Sequence, residues 1–350
     1  MGIIKLPKKS IEFYKENIDE IFESGTLAEG KWNNEISSFI IDMTGASKAI
    51  PTSSNGSGLV AILNIYSYYF NRKKCLIQSN TMYGVSTLVR AGGCTLDGFI
   101  DCRLHSLMPS LEDVKNSVNN YTTSEKKELI IMLSHIGGIV NPDMESIASL
   151  CKEENIILIE DCAHSFGATL NGKHSGLFGD AGVYSFYSTK AIPAGEGGII
   201  VTNNEEIGQM AMDYSIYDRF KQKLKIGFNN RVSEPQALLA YSVVKEWKEI
   251  VANKVVIANK YVKICNQLNI KYISQNENGL VGNYYKFVLY NADIKASKYF
   301  QGLETKTSPV YDYSIGVDNP LAEHHVCLPI WYGQENEITD KAINELLNSF

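Results

Sequence analysis

The chain has 350 residues, of which 44% are apolar and 21% charged, and this composition excludes an intrinsically disordered protein. Its formal net charge is −6 and no basic run stands out, which argues against a nucleic-acid or anionic-membrane surface. The seven cysteines are an odd number without close pairs, so we expect reduced thiols in a cytoplasmic protein. No apolar run approaches the roughly 20 residues that a membrane-spanning helix needs.

Helical and strand-like patterns alternate through the N-terminal half of the chain. Residues 128–133 and 156–159 are near-continuous apolar runs, as in strands that are buried on both faces of a parallel sheet. Residues 142–151 between them carry apolar side chains at helical spacing, and Ser110 opens another predicted helix with a capping box. This alternation predicts an α/β domain with right-handed crossovers.

The next two predicted strands, 181–187 and 198–202, are joined by the ten residues 188–197. A parallel crossover needs about a dozen residues or more. The two strands are therefore predicted to be antiparallel neighbours in an otherwise parallel sheet, with Lys190 in the turn between them.

The C-terminal part of the chain is predicted to form a smaller domain. Residues 236–268 contain neither glycine nor proline, and one continuous helix over them would be on the order of 50 Å long. Beyond this segment the strand-like runs are shorter, and a last helix is predicted near 338–349. We therefore expect a large α/β domain over residues 1–236 and a small α+β domain over 237–350, entered through the long helix.

Three side chains near predicted strand ends are candidates for chemistry. Asp161 and His164 follow the strand 156–159, and ligands of open α/β sheets bind at the carboxyl ends of strands. Each has an ordinary structural explanation, Asp161 as a helix N-cap and His164 as a hydrogen-bonded core residue. Taken singly, Lys190 is expected to be a solvated surface residue like most lysines, but a turn that packs inward would favour the neutral amine that imine chemistry requires.

Residues 52–58 are rich in serine and glycine and precede a predicted helix. Free backbone N–H groups at such a helix start can hold a phosphate. The Gly56-Ser57-Gly58 spacing also matches a dinucleotide fingerprint and leaves a nicotinamide-dependent sugar oxidoreductase as an alternative, although the acidic residue expected about 20 positions later is missing. Lys190, Asp161 and Ser57-Gly58 together supply what pyridoxal 5'-phosphate needs: an imine lysine, a carboxylate for the pyridinium nitrogen and an anion site.

Four stretches around these candidates carry a specific pattern: IEDCAHSFGA at 159–168, GLFGD at 176–180, YSFYSTKA at 184–191 and GEGG at 195–198. With them the sequence resembles the DegT/DnrJ/EryC1/StrS family of sugar aminotransferases, within fold type I of the pyridoxal-phosphate enzymes. The likeness extends over about residues 20–345. It implies a mostly parallel seven-stranded sheet flanked by helices, plus a small C-terminal α+β domain.

The resemblance implies catalytic roles for three residues. Lys190 would form the internal aldimine, Asp161 would pair with the pyridinium nitrogen, and His164 would lie beside the cofactor ring, where many relatives carry glutamine. The dehydratase branch of the family carries histidine in place of the lysine, so Lys190 favours transamination.

The resemblance also implies how the cofactor is held. Ser57, Gly58 and Ser185 would bind the phosphate together with Asn229 of the partner subunit, which implies a homodimer with shared active sites. Tyr83 is the aromatic residue expected to stack on the ring.

The implied reaction moves an amino group from glutamate or glutamine to a nucleotide-linked keto-sugar. Arg231 could bind the donor's carboxylate or form a structural salt bridge. The short cluster His324-His325 with Cys327 is interpreted as structural, so no metal is expected. A non-catalytic relative, acting as a cofactor-binding regulator or scaffold, is a second alternative.

Overall fold

The computed structural model describes residues 4–217, 223–311 and 320–350. Its helices are α1 (Lys8–Ser24), α2 (Lys31–Thr44), α3 (Asn55–Tyr69), α4 (Gly84–Ala91), α5 (Leu111–Val118), α6 (Thr123–Lys126), α7 (Met144–Glu153), α8 (Glu205–Ile216), α9 (Glu234–Val244), α10 (Trp247–Gln267), α11 (Ala296–Tyr299) and α12 (Asn336–Ser349), with a 3-10 helix at Pro320–His324. Its strands are β1 (Lys48–Thr52), β2 (Lys74–Gln78), β3 (Thr95–Ile100), β4 (Leu129–Ser134), β5 (Ile157–Cys162), β6 (Thr169–Leu170), β7 (Lys173–His174), β8 (Ala181–Ser185), β9 (Gly198–Thr202), β10 (Leu280–Val281), β11 (Phe287–Tyr290) and β12 (His325–Leu328). In these ranges, no helix combines the length and the apolar character that a membrane crossing requires.

Seven strands form the central sheet in the order β1-β9-β8-β5-β4-β2-β3. The neighbours from β8 to β3 are all parallel, whereas β9 runs antiparallel to both β1 and β8. Gly182 pairs with Val201 and Ser185 with Gly198, so the predicted antiparallel pair around Lys190 is confirmed. The expected mostly parallel seven-stranded sheet is confirmed with it.

Helices cover both faces of this sheet, and β4 shows why its sequence is a continuous apolar run. Ile130 and Met132 pack on the face that is covered by α3, α4 and α8. Ile131 and Leu133 point to the opposite face and pack with residues of α5 and α7. Successive strand residues alternate between faces, so a strand buried on both sides needs apolar side chains at every position.

The continuous helix predicted over 236–268 is wrong, because the chain forms α9 and α10 with a break at Lys245 and Glu246. A segment without glycine or proline permits a long helix but does not require one. The two helices pack on different surfaces, α9 on α1 and α2, and α10 on α12. The predicted boundary after residue 236 falls inside α9, and we propose that the smaller unit begins at the break instead.

The C-terminal region has its own small sheet and core. β11 and β12 pair as an antiparallel ribbon, and α10, α11 and α12 pack against it around side chains such as Phe287 and Phe300. The predicted last helix is confirmed as α12. β10 pairs with β6, a short strand that follows β5 in the chain. This pairing connects the C-terminal region to the part of the chain that forms the central sheet. Tyr285, just before β11, stacks on His164 in the loop that follows β5.

Candidate active site

Asp161 lies at the carboxyl end of β5 and is buried, with 5% of its surface exposed. Asn55 Nδ2 and the backbone N–H of Ala163 donate hydrogen bonds to its Oδ1, at 3.0 and 3.1 Å. Ser134 Oγ, at the end of β4, donates to Oδ2 at 3.0 Å. Residues 163–168 form turns, so Asp161 does not cap a helix. The three donors instead hold a buried carboxylate in one orientation at the edge of the sheet.

Lys190 lies in the hairpin connection between β8 and β9. Its backbone N–H donates to the carbonyl oxygen of Tyr187 at 2.8 Å, and Ser188 N–H donates to Gly195 at 3.0 Å. Gly195 and Gly197 have φ values of 86° and 133°, where a β-carbon would be strained. The glycines after Lys190 therefore allow a tight connection that returns the chain into the sheet.

The environment of Lys190 favours its neutral form. Burial lowers the pKa of the Lys190 ammonium below the ordinary lysine value, while the negative charge of Asp161 opposes this shift. The ammonium nitrogen lies 5.2 Å from the centre of the Tyr285 ring. A larger neutral fraction makes the amine a better nucleophile near neutral pH.

His164 is buried beside Asp161 and Lys190. Its ring stacks on Tyr285, with the centroids 4.1 Å apart, and its Nε2 lies 3.0 Å from the hydroxyl of Tyr311. Burial holds the pKa of His164 well below its usual value, and the positive charges of Lys190 and Lys286 add to this effect. Nδ1 is buried and has no hydrogen-bond partner among the described residues. His164 is thus a neutral imidazole with one unused nitrogen.

The start of α3 presents backbone donors to the same region. Ser54 caps the helix by accepting a hydrogen bond from Ser57 N–H at 3.0 Å, and Ser57 Oγ accepts one from Ser54 N–H at 3.0 Å. The N–H groups of Asn55 and Gly56 stand in the first turn, where a helix offers no intrahelical acceptor. They line the cavity described next and suit an anion.

These groups surround a cavity of about 630 Å³. One wall comes from the carboxyl ends of the central strands, and the opposite wall includes Tyr285, Lys286 and residues 307–311. Four of the residues predicted from the sequence line it: Asp161, His164, Ser185 and Lys190. The structure brings these four together although they come from two segments of the chain, 161–164 and 185–190.

Four other predicted residues do not line this cavity. Ser57 is occupied in the capping box, and an added β-carbon on Gly58 would lie 2.7 Å from Val183, so Gly58 faces the sheet. Tyr83 is half-exposed, and its neighbour Met82 lines the cavity instead. Asn229 is exposed, which leaves its predicted role toward a partner subunit a prediction.

Sequence reasoning missed several residues that shape the site. Asn55 could have been found, because it lies within the serine- and glycine-rich stretch 52–58 that was expected to hold a phosphate. Ser134 also carried a signal, since it directly follows the predicted strand 128–133. Tyr285 and Tyr311 belong to the C-terminal region and carried none, because their position depends on how that region packs on the sheet.

A sequence profile of the DegT/DnrJ/EryC1/StrS aminotransferase family matches residues 8–346. The chain belongs to this family. Its relatives include the GDP-perosamine synthase of Vibrio cholerae, which is 28% identical over 291 residues covering 75% of each chain.

Solved structures of the same fold match nearly the whole molecule. Helicobacter pylori PseC, an aminotransferase involved in the biosynthesis of pseudoaminic acid, superposes with a TM-score of 0.83 at 19% identity and covers 99% of this chain and 97% of its own. DesI, solved in the presence of its TDP-sugar product, gives 0.84 at 18% identity, with 99% and 92% coverage. The predicted fold type I architecture is thereby confirmed.

Two other candidates in this aminotransferase are held by structural contacts. Arg231 Nε lies 3.7 Å from a carboxylate oxygen of Glu29, and Arg231 does not line the cavity. His325 Nε2 accepts a hydrogen bond from Val310 N–H at 2.7 Å, and His324 Nδ1 lies 2.9 Å from the carbonyl oxygen of Asn291. These contacts favour the structural explanation for each of them.

A buried group of His135, Glu160 and Cys162 lies beneath the site and resembles a metal-ligand set by residue type. His135 Nε2 and a Glu160 oxygen are 2.8 Å apart, and Glu160 also accepts hydrogen bonds from Gly176 and Gly179 N–H, each at 2.7 Å. The donors and acceptors of the pair are thus used within the protein. We interpret the group as a polar support for the loops below Asp161.

Proposed function

We propose that this protein is a pyridoxal-phosphate-dependent aminotransferase that moves an amino group from glutamate or glutamine to a nucleotide-linked keto-sugar. The observation that supports the proposal best is the arrangement of Lys190, Asp161 and the start of α3 around one cavity. Each supplies a different requirement of the cofactor. The relatives named as a GDP-perosamine synthase and as an enzyme with a TDP-sugar product support the sugar and nucleotide parts.

The residues present fit the cofactor. Asp161 offers a fixed carboxylate for a protonated pyridine nitrogen, and the free N–H groups of Asn55 and Gly56 offer donors for a phosphate. The unpartnered Nδ1 of His164 also marks a place where a polar group of a ligand can bind. When bound, pyridoxal phosphate supplies a protonated ring that accepts the electron pair of a carbon acid.

Each residue then has a defined task. Asp161 would hold the protonated ring nitrogen of the cofactor, and the start of α3 would bind its phosphate. Lys190 would hold the cofactor through Nζ, and its amine is placed to take up and return a proton at the substrate α-carbon. His164 and Tyr285 form the wall that orients the ring, and the wall at 307–311 faces the space that remains for the sugar.

The proposal is tested by the absorption spectrum of the purified protein with added pyridoxal phosphate. We expect a visible band in the wild type and in Lys263→Ala, a variant of an exposed lysine on α10, and its loss in Lys190→Ala. Asp161→Asn should keep a band but lose amine formation by about a hundredfold or more, since it removes electrostatic support for the reacting ring. Binding of NADH without a visible band would select the oxidoreductase alternative instead.

The substrate part has a separate test. Glutamate and glutamine are offered first, and conversion of the bound cofactor to its amine form is followed by the loss of the band. Keto-sugar nucleotides are then screened for amine formation. If no amino donor changes the band, the protein is the non-catalytic alternative, which binds the cofactor but has no transaminase activity.

We also propose a homodimer with shared sites. The large apolar side chains that are exposed by more than half include Phe22 at 61%, Leu27 at 55% and Phe228 at 64%, and Phe228 adjoins Asn229. If Asn229 serves the partner's site, mixing the weakly active variants Lys190→Ala and Asn229→Ala should restore activity, because a mixed dimer contains one site with both residues intact. A mixture no more active than its components contradicts sharing.

A further inference from the structure

A second, smaller cavity lies on the other side of Lys190 from the large one. It measures about 80 Å³ and shares Thr189, Lys190 and Tyr285 with the wall of the large cavity. Its remaining wall comes from the N-terminal segment, from α10 and from the residues that follow β12. The proposed transamination assigns no role to this space.

Lys254, on α10, is the unusual residue of this cavity. Only 4% of its surface is exposed, and no hydrogen bond or ion pair joins it to any described residue. Polar groups close to it have partners: Asn253 Oδ1 accepts from Gly333 N–H at 2.8 Å, and Lys5 Nζ lies 3.5 Å from Glu335. A buried ammonium without a counter-ion is strongly disfavoured, so charges in protein interiors are normally paired.

Two of the three lysines that line the cavity have a negative charge near them: Lys5 lies 3.5 Å from Glu335, and Asp161 acts on Lys190. The described residues that line it include Lys5, Lys190 and Lys254 and no carboxylate, and Tyr285 and Tyr332 add uncharged phenols. Burial alone lowers the pKa of Lys254 to about 7, so a nearby negative charge would restore its ammonium form. Among the described residues that line the cavity, Lys254 is thus a cation with no negative partner, and an anion bound in the cavity would supply one.

The size of the cavity limits the anion that it can hold. A single water needs about 10–15 Å³ of such space. The cavity therefore admits an anion of a few heavy atoms, such as formate or nitrate, or the carboxylate end of a larger acid. A nucleotide phosphate with its sugar is too large.

We propose that this cavity is a binding site for a small monovalent anion, with Lys254 as its charged ligand. The negative charge of the anion would balance the ammonium charge of Lys254. It would thereby reduce the repulsion between Lys254 and the neighbouring Lys190. The proposal does not depend on the aminotransferase activity, because the site is defined by its own residues. Two sources share this chemistry, a free small anion and the carboxylate of an amino acid that reaches in past Thr189.

The test measures the thermal unfolding midpoint of the full chain while sodium formate or sodium nitrate replaces sodium gluconate at constant ionic strength. Wild type should show a saturable rise of a few degrees, as expected for a ligand that binds the folded state. Lys254→Met, which keeps the length of the side chain but removes its charge, should lose the saturable rise. Lys263→Met, an exposed lysine of the same helix, should keep it.

Other outcomes are equally decisive. A wild-type midpoint that shows no saturation with either anion overturns the site, whether or not Lys254→Met folds, and so does a Lys254→Met protein that responds like wild type. Lys254→Arg should retain the response, because it keeps the positive charge. A residue that is needed only for the packing of its aliphatic stem would not be expected to show this dependence on charge. Glutamate that competes with formate for the response would assign the site to an amino acid carboxylate, and a response to formate or nitrate alone would assign it to a free anion.

Discussion

At the scale of single residues, His164 links the site to the stability of the whole protein. Its folded-state pKa lies below the usual value of about 6.5, chiefly because the ring is buried. Below pH 6.5 the unfolded chain therefore binds a proton that the folded protein does not bind. The free energy of unfolding must then decrease as the pH falls through this range.

This gives a prediction for His164→Gln, a substitution that removes the titration. The loss of unfolding free energy between about pH 7.5 and 5.5, measured by urea denaturation, should be smaller in the variant than in wild type, by up to about 1.4 kcal/mol per pH unit below 6.5. Some acid sensitivity should remain, since burial lowers the pKa of His174 in the same direction. His105→Gln, at an exposed position, should behave like wild type. An unchanged pH dependence in His164→Gln would contradict the neutral, buried imidazole.

The residues that the sequence could predict are those whose role follows from nearby residues. Asp161 stands at the end of an apolar strand and Lys190 in the short connection after another, and these positions bring both to the carboxyl edge of the sheet. The contact between Asn55 and Asp161 joins positions 106 residues apart, and it depends on the order of the strands. Tyr285 and Tyr311 depend on the packing of a whole region, which no local pattern encodes.

At the scale of elements, α3 is held against the sheet by a close approach at Gly58. An added β-carbon there would lie 2.7 Å from a methyl carbon of Val183 and 3.2 Å from Ile200. The helix would have to move outward to make room for it. Because the same helix presents Asn55 and Gly56 to the cavity, its packing sets the position of the proposed phosphate site.

Gly58→Ala should therefore have two effects. Overpacking should reduce the free energy of unfolding by about 1–3 kcal/mol, measured by urea denaturation. The displaced helix start should also weaken binding of pyridoxal phosphate, measured by titration of the visible band. In Gly56→Ala the added carbon meets the flexible end of Leu88 at 3.3 Å, so a smaller loss of stability is expected. Equal losses in the two variants would contradict the close-packing argument.

The break between α9 and α10 shows the limit of prediction at this scale. The sequence contains no helix-breaking residue there, yet the helix ends at Val244 and a new one begins at Trp247. Trp247 packs on Phe166 with the ring centroids 6.3 Å apart and close against Gly167. Tertiary contacts of this kind override helix propensity, which is a weak preference.

At the scale of the whole molecule, the seven cysteines are free thiols, and all except the partly buried Cys102 are buried. Burial raises the pKa of every one of them: to about 11 for Cys94 and Cys327, to about 12 for Cys102, Cys151 and Cys265, and well above the ordinary thiol value for Cys75 and Cys162. The thiolate is the reactive form. The native protein should thus carry little nucleophilic thiol near neutral pH.

We expect iodoacetamide at about pH 8 to modify the native thiols slowly and all seven rapidly after denaturation. Mass spectrometry would count the adducts with time. Cys102, the least buried, should react first among them. Rapid modification of Cys75 or Cys162 in the native protein would contradict the packing of the central sheet.

The architecture as a whole was more predictable than its details. Alternating apolar runs and the short connection around Lys190 were enough to predict a mostly parallel sheet with an antiparallel member, because strand burial and connection length impose these choices. The strand order and the pairing of β10 with β6 had no counterpart in the sequence pattern. Such long-range pairings depend on the relative free energies of all the packing arrangements that the chain can form.

The two sides of the large cavity differ in how many backbone hydrogen bonds hold them, and Lys190 lies on the side formed by the sheet. Both strands of the hairpin that carries Lys190 lie inside the sheet and are paired on each edge, so hydrogen bonds hold the ends of the Lys190 connection in place on both sides. The opposite side, at 308–311, lies outside any regular element. We therefore expect this second side to tolerate changes of sequence more readily than the hairpin does. Sequence changes there can alter which molecules are admitted while the reacting groups keep their positions.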